Sequence, residues 1–158
     1  STLSGNSATN NGGGIYNRSG NLSVSSSTLS GNSAFNGGGI LNNQGSVSVT
    51  NSTLSGNSAT RNGGGIFNRS SGIVSISSST ISGNSVSNSG YGGGGIANRG
   101  SLTLTSSTIS GNSARFSAGI YNATGSMSIS SSTISGNTAI DGGGIGNFST
   151  LSISNSTI

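Results

Sequence analysis

The chain has 158 residues, of which 28% are hydrophobic and only 4% are charged, and it contains 30 glycines but no proline and no cysteine. Its net charge is +4. The charged residues are Arg18, Arg61, Arg69, Arg99, Arg115 and Asp141. Scattered arginines argue against nucleic-acid binding, which needs clustered positive charge. A single acid without histidine or cysteine offers neither a catalytic carboxylate pair nor a metal-ligand set, so we expect no enzyme activity and no cofactor. No apolar run is long enough to span a membrane.

One unit of sequence recurs along the whole chain. Ser27–Asn51 reads STLSGNSAFNGGGILNNQGSVSVTN, and the same order of Ser-Thr, Gly-Asn and Gly-rich segments is found before and after it. Alignment on Ser-Thr places coil starts at residues 1, 27, 52, 79, 107 and 132, with a partial coil from residue 156. Coil lengths of 24–28 residues are typical of a solenoid. We therefore predict a single β-solenoid over residues 1–158.

Each coil is predicted to contain three short strands. The first is Ser-Thr-Leu/Ile-Ser-Gly-Asn-Ser-Ala, with the aliphatic residue, Asn and Ala pointing inward. The second is Gly-Gly-Gly-Ile-X-Asn, with Ile inward and X outward. The third alternates strictly, as in Ser46–Thr50, where Val47 and Val49 face inward. The aliphatic core columns of the first two strands are Leu3, Leu29, Leu54, Ile81, Ile109 and Ile134, and Ile15, Ile40, Ile66, Ile96, Ile120 and Ile145.

Three strands joined by Gly-, Asn- and Ser-rich turns predict an all-β fold, a parallel β-helix of about six coils. At the usual strand spacing of about 4.8 Å, six coils form a rod about 29 Å long. Length variation is expected in the turns, as at Asn88–Tyr91 of the fourth coil, where it leaves the core unchanged.

Two columns of asparagine are predicted to form structural ladders, because an amide can bond to the next amide above and below it. The first column is Asn6, Asn32, Asn57, Asn84, Asn112 and Asn137. The second column is Asn17, Asn42, Asn68, Asn98, Asn122 and Asn147.

Two outward columns could carry function. The threonine column consists of Thr2, Thr28, Thr53, Thr80, Thr108 and Thr133. It is explained either by β-propensity on a hydrated face or by an ice-binding surface. The column at X consists of Tyr16, Leu41, Phe67, Ala97, Tyr121 and Gly146. If Ile points inward, Tyr16, Leu41, Phe67 and Tyr121 form a partly apolar stripe suited to a lateral contact with another copy.

The pair Leu/Ile-Ser-Gly-Asn and Gly-Gly-Gly-Ile resembles the FxxN and GGAI pairing of polymorphic outer-membrane protein repeats. Leu29 or Ile81 stands at the Phe position, Asn32 or Asn84 at the Asn position, and Gly38-Gly39-Ile40 near GGAI with Gly in place of Ala. The resemblance implies a right-handed parallel β-helix in a bacterial surface or secreted protein, and hence an extracellular or cell-surface location.

Both ends of the chain are in the same phase of the repeat, Ser1-Thr2-Leu3 and Ser156-Thr157-Ile158, and neither carries a recognisable cap. We expect either a window of a longer repeat array or a subunit that stacks end to end. The predicted role is structural, in an extracellular filament, sheath or surface stalk, with other copies of the chain as partners. The alternatives are an adhesin that contacts host or matrix surfaces and an ice-binding solenoid.

Overall fold

The computed structural model describes residues 1–87 and 91–158, and these residues form short β-strands joined by tight turns. The first two coils contain β1 (Thr2–Ser4), β2 (Ser7–Asn11), β3 (Ile15–Asn17), β4 (Asn21–Ser25), β5 (Thr28–Ser30), β6 (Ser33–Asn36), β7 (Ile40–Asn42) and β8 (Ser46–Thr50). The next two contain β9 (Thr53–Ser55), β10 (Ser58–Asn62), β11 (Ile66–Asn68), β12 (Ile73–Ser77), β13 (Thr80–Ser82), β14 (Ser85–Val86), β15 (Ile96–Asn98) and β16 (Ser101–Thr105). The last two contain β17 (Thr108–Ser110), β18 (Ile120–Asn122), β19 (Ser126–Ser130), β20 (Thr133–Ser135), β21 (Ile145–Asn147) and β22 (Thr150–Ser154).

The strands stack into four parallel sheets, each made of equivalent strands from successive coils. Sheet 1 has the order β1-β5-β9-β13-β17-β20, and sheet 2 the order β2-β6-β10-β14. Sheet 3 has the order β3-β7-β11-β15-β18-β21, and sheet 4 the order β4-β8-β12-β16-β19-β22. In sheet 1, for example, Leu29 pairs with Leu3 on one side and Leu54 on the other. The predicted all-β parallel solenoid of about six coils is confirmed.

The first predicted strand segment of each coil is divided in two. In the second coil the division falls at Gly31, which has φ of +61° and separates β5 from β6. Glycine adopts this left-handed conformation without the steric cost of a side chain. The chain therefore turns a corner between Leu29 and Ala34, and the three predicted segments give four short strands in each of the first four coils.

The core is a continuous aliphatic column enclosed by sheets 1, 3 and 4. In the second coil, Leu29, Ile40, Val47 and Val49 are buried in it. Ala34 is also buried, on the inner side of β6. Several equivalent residues of the outermost coils are only partly buried; these are Leu3, Ile15, Leu22, Ile145 and Leu151. An inner coil thus covers its neighbours, as expected when stability comes from stacking.

The longer corner predicted for the fourth coil falls at Asn88–Tyr91. Three of its four residues, at positions 88–90, lie outside the described residues, and the chain is described again from Tyr91. Within the described ranges, no helix is long and apolar enough to cross a bilayer.

Candidate functional site

The first asparagine column forms a ladder through all six coils. Asn6 Nδ2 donates to Asn32 Oδ1 at 2.9 Å, and Asn32 Nδ2 donates to Asn57 Oδ1 at 2.9 Å. The backbone N–H of Asn32 also donates to Asn57 Oδ1, at 3.0 Å. The second Nδ2 hydrogen of Asn32 reaches back to the Leu3 carbonyl at 3.1 Å. Each inner amide thus fills its hydrogen-bonding capacity within the protein, as a buried amide must.

The second asparagine column closes a turn as well as linking coils. Asn42 Nδ2 donates to Asn68 Oδ1 at 3.0 Å and to the Gly45 carbonyl at 2.8 Å. The contact with Gly45 fixes the turn between β7 and β8 within one coil, whereas the contact with Asn68 joins that coil to the next. The ladder continues to Asn147, which accepts from Asn122 Nδ2 at 2.7 Å.

A serine ladder, which the sequence reasoning missed, runs beside these two. Ser52 Oγ accepts the backbone N–H of Ser27 at 3.1 Å and donates to the Thr50 carbonyl at 2.8 Å. The same pair of contacts continues at Ser79, Ser107 and Ser132. The sequence signal is the Ser that recurs in every Ser-Thr pair. Its recurrence has a hydrogen-bonding cause, because each inner Ser hydroxyl accepts a backbone N–H from the preceding coil.

A third, shorter asparagine ladder was also missed. Asn36 Nδ2 donates to Asn11 Oδ1 at 3.3 Å, and Asn62 Nδ2 donates to Asn36 Oδ1 at 2.8 Å. The next coil pairs Gly92 with Asn62 and so supplies no amide. Among the described residues, Asn62 Oδ1 alone is a buried side-chain acceptor without a hydrogen-bond partner. In the last two coils the same column holds Phe116 and Asp141, which line a groove.

The threonine column lies in register along sheet 1, where Thr28 pairs with Thr2 and Thr53. Its inner members, Thr28 to Thr133, are half-buried, and only the terminal Thr2 is fully exposed among the predicted six. The strands of this sheet are three residues long, so each coil presents one Thr and one Ser outward. The result is a narrow hydroxyl strip along one side of the rod.

The prediction that column X forms an exposed apolar stripe is wrong at Leu41 and Phe67. These side chains do point away from the main core, but they are 0% and 3% exposed and form a second small core with Ala97. The corner before the strand lies close to Leu41: a Cβ on Gly37 would lie 2.8 Å from the Leu41 Cβ. Arg99 also lies over the Phe67 ring, 5.3 Å from its centroid. A lateral contact through Leu41 and Phe67 is therefore excluded.

At the other end of column X, beside Tyr121 and Gly146, lies a groove with a volume of about 320 Å³. We define this aromatic groove by Tyr91, Phe116, Tyr121, Phe148 and Asp141, all of which line it. The chain has only three Tyr and four Phe, and a single acid. More than half of its aromatic residues and its one carboxylate therefore lie together. Of these five residues, the sequence reasoning had assigned only Tyr121 to an outward site.

The groove arises because the last two coils depart from the repeat. Phe116 and Asp141 are paired with each other at the position that holds Asn11, Asn36 and Asn62 in earlier coils. Gly146 leaves column X without a side chain beside Tyr121. The Ser117 side chain occupies the place that a side chain at Gly146 would take, because a Cβ added to Gly146 would overlap Ser117 Oγ. The Phe148 ring lies beside Gly146, 5.6 Å from the Tyr121 ring at an interplanar angle of 64°.

Two arginines support the groove from outside. The Arg115 guanidinium lies over the Phe116 ring at 5.1 Å from its centroid, and the Arg61 guanidinium lies over the Tyr91 ring at 5.0 Å. Neither arginine belongs to the lining of the groove. Cation–π contacts of this length hold the two rings in place.

Stacked parallel coils joined by amide and hydroxyl ladders define a β-solenoid repeat protein. Two segments of the chain, residues 1–18 and 51–69, match the model of the Chlamydia polymorphic membrane protein repeat. Each match runs from the start of a coil through the first ladder asparagine to the second, Asn17 or Asn68. The predicted resemblance to polymorphic outer-membrane protein repeats is confirmed. No curated protein and no solved structure matches the chain.

Proposed function

We propose that this chain is a repeat segment of a bacterial surface or secreted protein, and that its role is to build a rigid, non-catalytic stalk or filament by stacking coils. The observation that carries the proposal is the first asparagine ladder, which runs unbroken from Asn6 to Asn137. Such a ladder stabilises each coil that is added in register, because the added coil extends the row of hydrogen bonds. It also makes the rod stiff along its axis. Other copies of the chain are the proposed partners.

The match to a polymorphic membrane protein repeat supports a location at the cell surface. The near absence of charge agrees with a stacked array, since a charge at a repeated position would lie next to a like charge in every coil. In sheet 4, the outward positions of neighbouring coils are Ser48, Ser75 and Thr103, which are neutral and exposed.

Immunolabelling of intact source cells with antibodies raised against the chain tests the location. We expect labelling of intact cells, together with extended structures in electron micrographs of the labelled material. Labelling that requires permeabilised cells would contradict the surface role. A pre-immune serum is the control.

Coil insertion tests the stalk itself. A second copy of residues 52–78, inserted after Ser78, repeats a complete coil and preserves all ladders. We expect the rod to lengthen by about 4.8 Å in solution scattering and the unfolding free energy to rise. A scrambled insert of the same composition is the matched control. Equal behaviour of the two inserts would contradict stacking as the source of stability.

An adhesin role is the second candidate, and the aromatic groove favours it. A stalk needs no cavity, whereas an exposed group of aromatic rings on a rigid support is typical of a binding surface.

A further inference from the structure

We propose that the aromatic groove binds a neutral saccharide, with a pyranose ring packed against Tyr121 and Phe148 and its hydroxyls bonded to Asp141 and the tyrosine hydroxyls. The site goes beyond the stalk role and does not depend on it. It would give the repeat segment a specific ligand on an otherwise hydroxyl-covered rod.

Two of the rings that line the groove are exposed. Phe148 is 72% exposed and Tyr91 is 51% exposed, while Phe116 and Tyr121 are half-buried. Tyr121 and Phe148 meet edge to face, so they present two flat apolar surfaces at an angle. One exposed aromatic residue is ordinary. Two exposed and two half-buried rings that line one groove, in a chain with so few aromatic residues, form a platform for a flat ligand with an apolar face.

The charges around the groove are of both signs. A cation would be attracted by Asp141 but repelled by Arg61 and Arg115, whose guanidinium groups lie over the Tyr91 and Phe116 rings. An anion would meet the carboxylate of Asp141 in the groove lining. A neutral ligand avoids both repulsions, so the charges favour an uncharged compound.

The lining of the groove also contains polar groups. An apolar peptide or an apolar face of a second copy would bury the Asp141 carboxylate and the hydroxyls of Tyr91 and Tyr121 without hydrogen-bond partners, which is unfavourable. A pyranose has an apolar face of C–H groups and a rim of hydroxyls. It can therefore pack against the rings and donate to the carboxylate at the same time.

The size of the groove also fits a saccharide. The groove volume of about 320 Å³ lies at the lower end of the range of about 300–1,000 Å³ found for small-molecule sites. This volume suits one or two sugar rings and is small for a folded partner.

Ligand-observed NMR with the 158-residue chain tests the proposal. The probes are the methyl glycosides of glucose, galactose and N-acetylglucosamine and their β-1,4-linked disaccharides, with tetramethylammonium and glucuronate as charged comparisons. We expect saturation transfer to at least one neutral saccharide, and a change in tyrosine fluorescence on binding. The charged probes should bind more weakly than the neutral ones.

Two variants locate the site. Phe148→Ser should weaken saccharide binding about tenfold, because it removes one stacking surface. Asp141→Asn should weaken it severalfold, because the carboxylate is the stronger acceptor. Phe35→Ser is the matched control, since Phe35 is another exposed aromatic residue, at 40%, outside the groove. Its binding should equal that of the unchanged chain.

Three outcomes would overturn the proposal. These are no saturation transfer to any neutral saccharide, tighter binding of tetramethylammonium or glucuronate, and an equal loss of binding in Phe35→Ser and Phe148→Ser. Because Phe148 is largely exposed, its replacement should leave the circular dichroism spectrum unchanged. If Phe148→Ser loses the circular dichroism spectrum of the folded chain, Asp141→Asn takes its place in the comparison with Phe35→Ser. Equal loss of binding in these two variants would then overturn the proposal.

Discussion

Asn57 Oδ1 accepts two hydrogen bonds from Asn32, one from its backbone N–H at 3.0 Å and one from its Nδ2 at 2.9 Å. The two residues are 25 positions apart in sequence and adjacent in the ladder. Asn57 Nδ2 in turn donates to the Leu29 carbonyl at 3.0 Å and to Asn84 Oδ1 at 2.9 Å. One side chain therefore satisfies buried groups in the coils on both sides of its own.

Replacement of an inner ladder residue should be strongly destabilising. Asn57→Ala removes the acceptor of two hydrogen bonds from Asn32 and the Nδ2 donor to the Leu29 carbonyl and to Asn84 Oδ1, all in the interior. We expect a loss of about 3–5 kcal/mol in the free energy of unfolding, measured by chemical denaturation.

The matched control for Asn57→Ala is Asn6→Ala, in the same ladder. Asn6 belongs to the outermost coil and is exposed, so its replacement should cost about 1 kcal/mol or less. Similar losses in the two variants would contradict the view that burial gives the ladder its strength.

The ladders could be predicted from sequence because a buried amide at a fixed phase in every coil has few other uses. Leu29, Ile40 and Val49 were equally predictable, since alternation and period assign them to one face. The four-strand division of the coil was not predictable from the pattern, because Ser30 and Asn32 flank Gly31 as they would flank any strand residue. The bend depends on backbone conformation, which residue order specifies only weakly.

Column X should divide into a buried and an exposed part. Phe67→Ala removes a ring that is 3% exposed and should cost about 3–5 kcal/mol of unfolding free energy. Tyr16→Ala, at the equivalent position of the first coil, removes a ring that is 46% exposed and should cost about 1 kcal/mol. Thermal and urea unfolding measure both. A small effect of Phe67→Ala would restore the exposed stripe.

Close stacking of backbones should make certain glycines irreplaceable for steric reasons. A Cβ on Gly39 would lie 2.6 Å from the carbonyl oxygen of Gly65, in the next coil, which is backbone and cannot move aside. Gly39→Ala should therefore cost about 3 kcal/mol in denaturant unfolding.

The control for Gly39→Ala is Gly31→Asn. Gly31 has a positive φ but open space around its Cβ position, with the nearest atom at 3.9 Å. Asparagine tolerates the left-handed region, so the cost should be about 1 kcal/mol or less. A larger loss in Gly31→Asn than in Gly39→Ala would show that conformation, and not stacking distance, is the constraint.

Like charges in one column should destabilise the rod in a salt-dependent manner. Ser48, Ser75 and Thr103 are exposed and paired in register across three coils. The triple variant Ser48→Lys, Ser75→Lys, Thr103→Lys should lose about 1 kcal/mol for each adjacent pair, and salt should recover much of the loss.

The control for the lysine column replaces Ser75 with Glu and keeps both lysines. Alternating charges attract, so its unfolding midpoint should exceed that of the all-lysine variant at low salt. Equal midpoints at every salt concentration would show that charge repulsion does not explain the neutral columns.

The residues of the aromatic groove could not be predicted from the repeat. Asn32 and Ile40 were predictable because every coil repeats them. Phe116, Asp141 and Phe148 were not, because each replaces the common residue of its column. Those replacements form a site only because stacking brings positions 25 or more residues apart into contact. Sequence identifies such residues as departures from the repeat, and the fold shows that the departures lie together.

The first asparagine ladder also gives the rod a direction. Every amide donates toward the next coil along the chain, from Asn6 to Asn32, then to Asn57 and on to Asn137. The side-chain dipoles therefore add along the axis, and one face of any coil offers amide donors where the opposite face offers amide acceptors. Coils of this kind match when the donor face of one meets the acceptor face of the next. An assembly built from them is therefore polar, and its two ends differ.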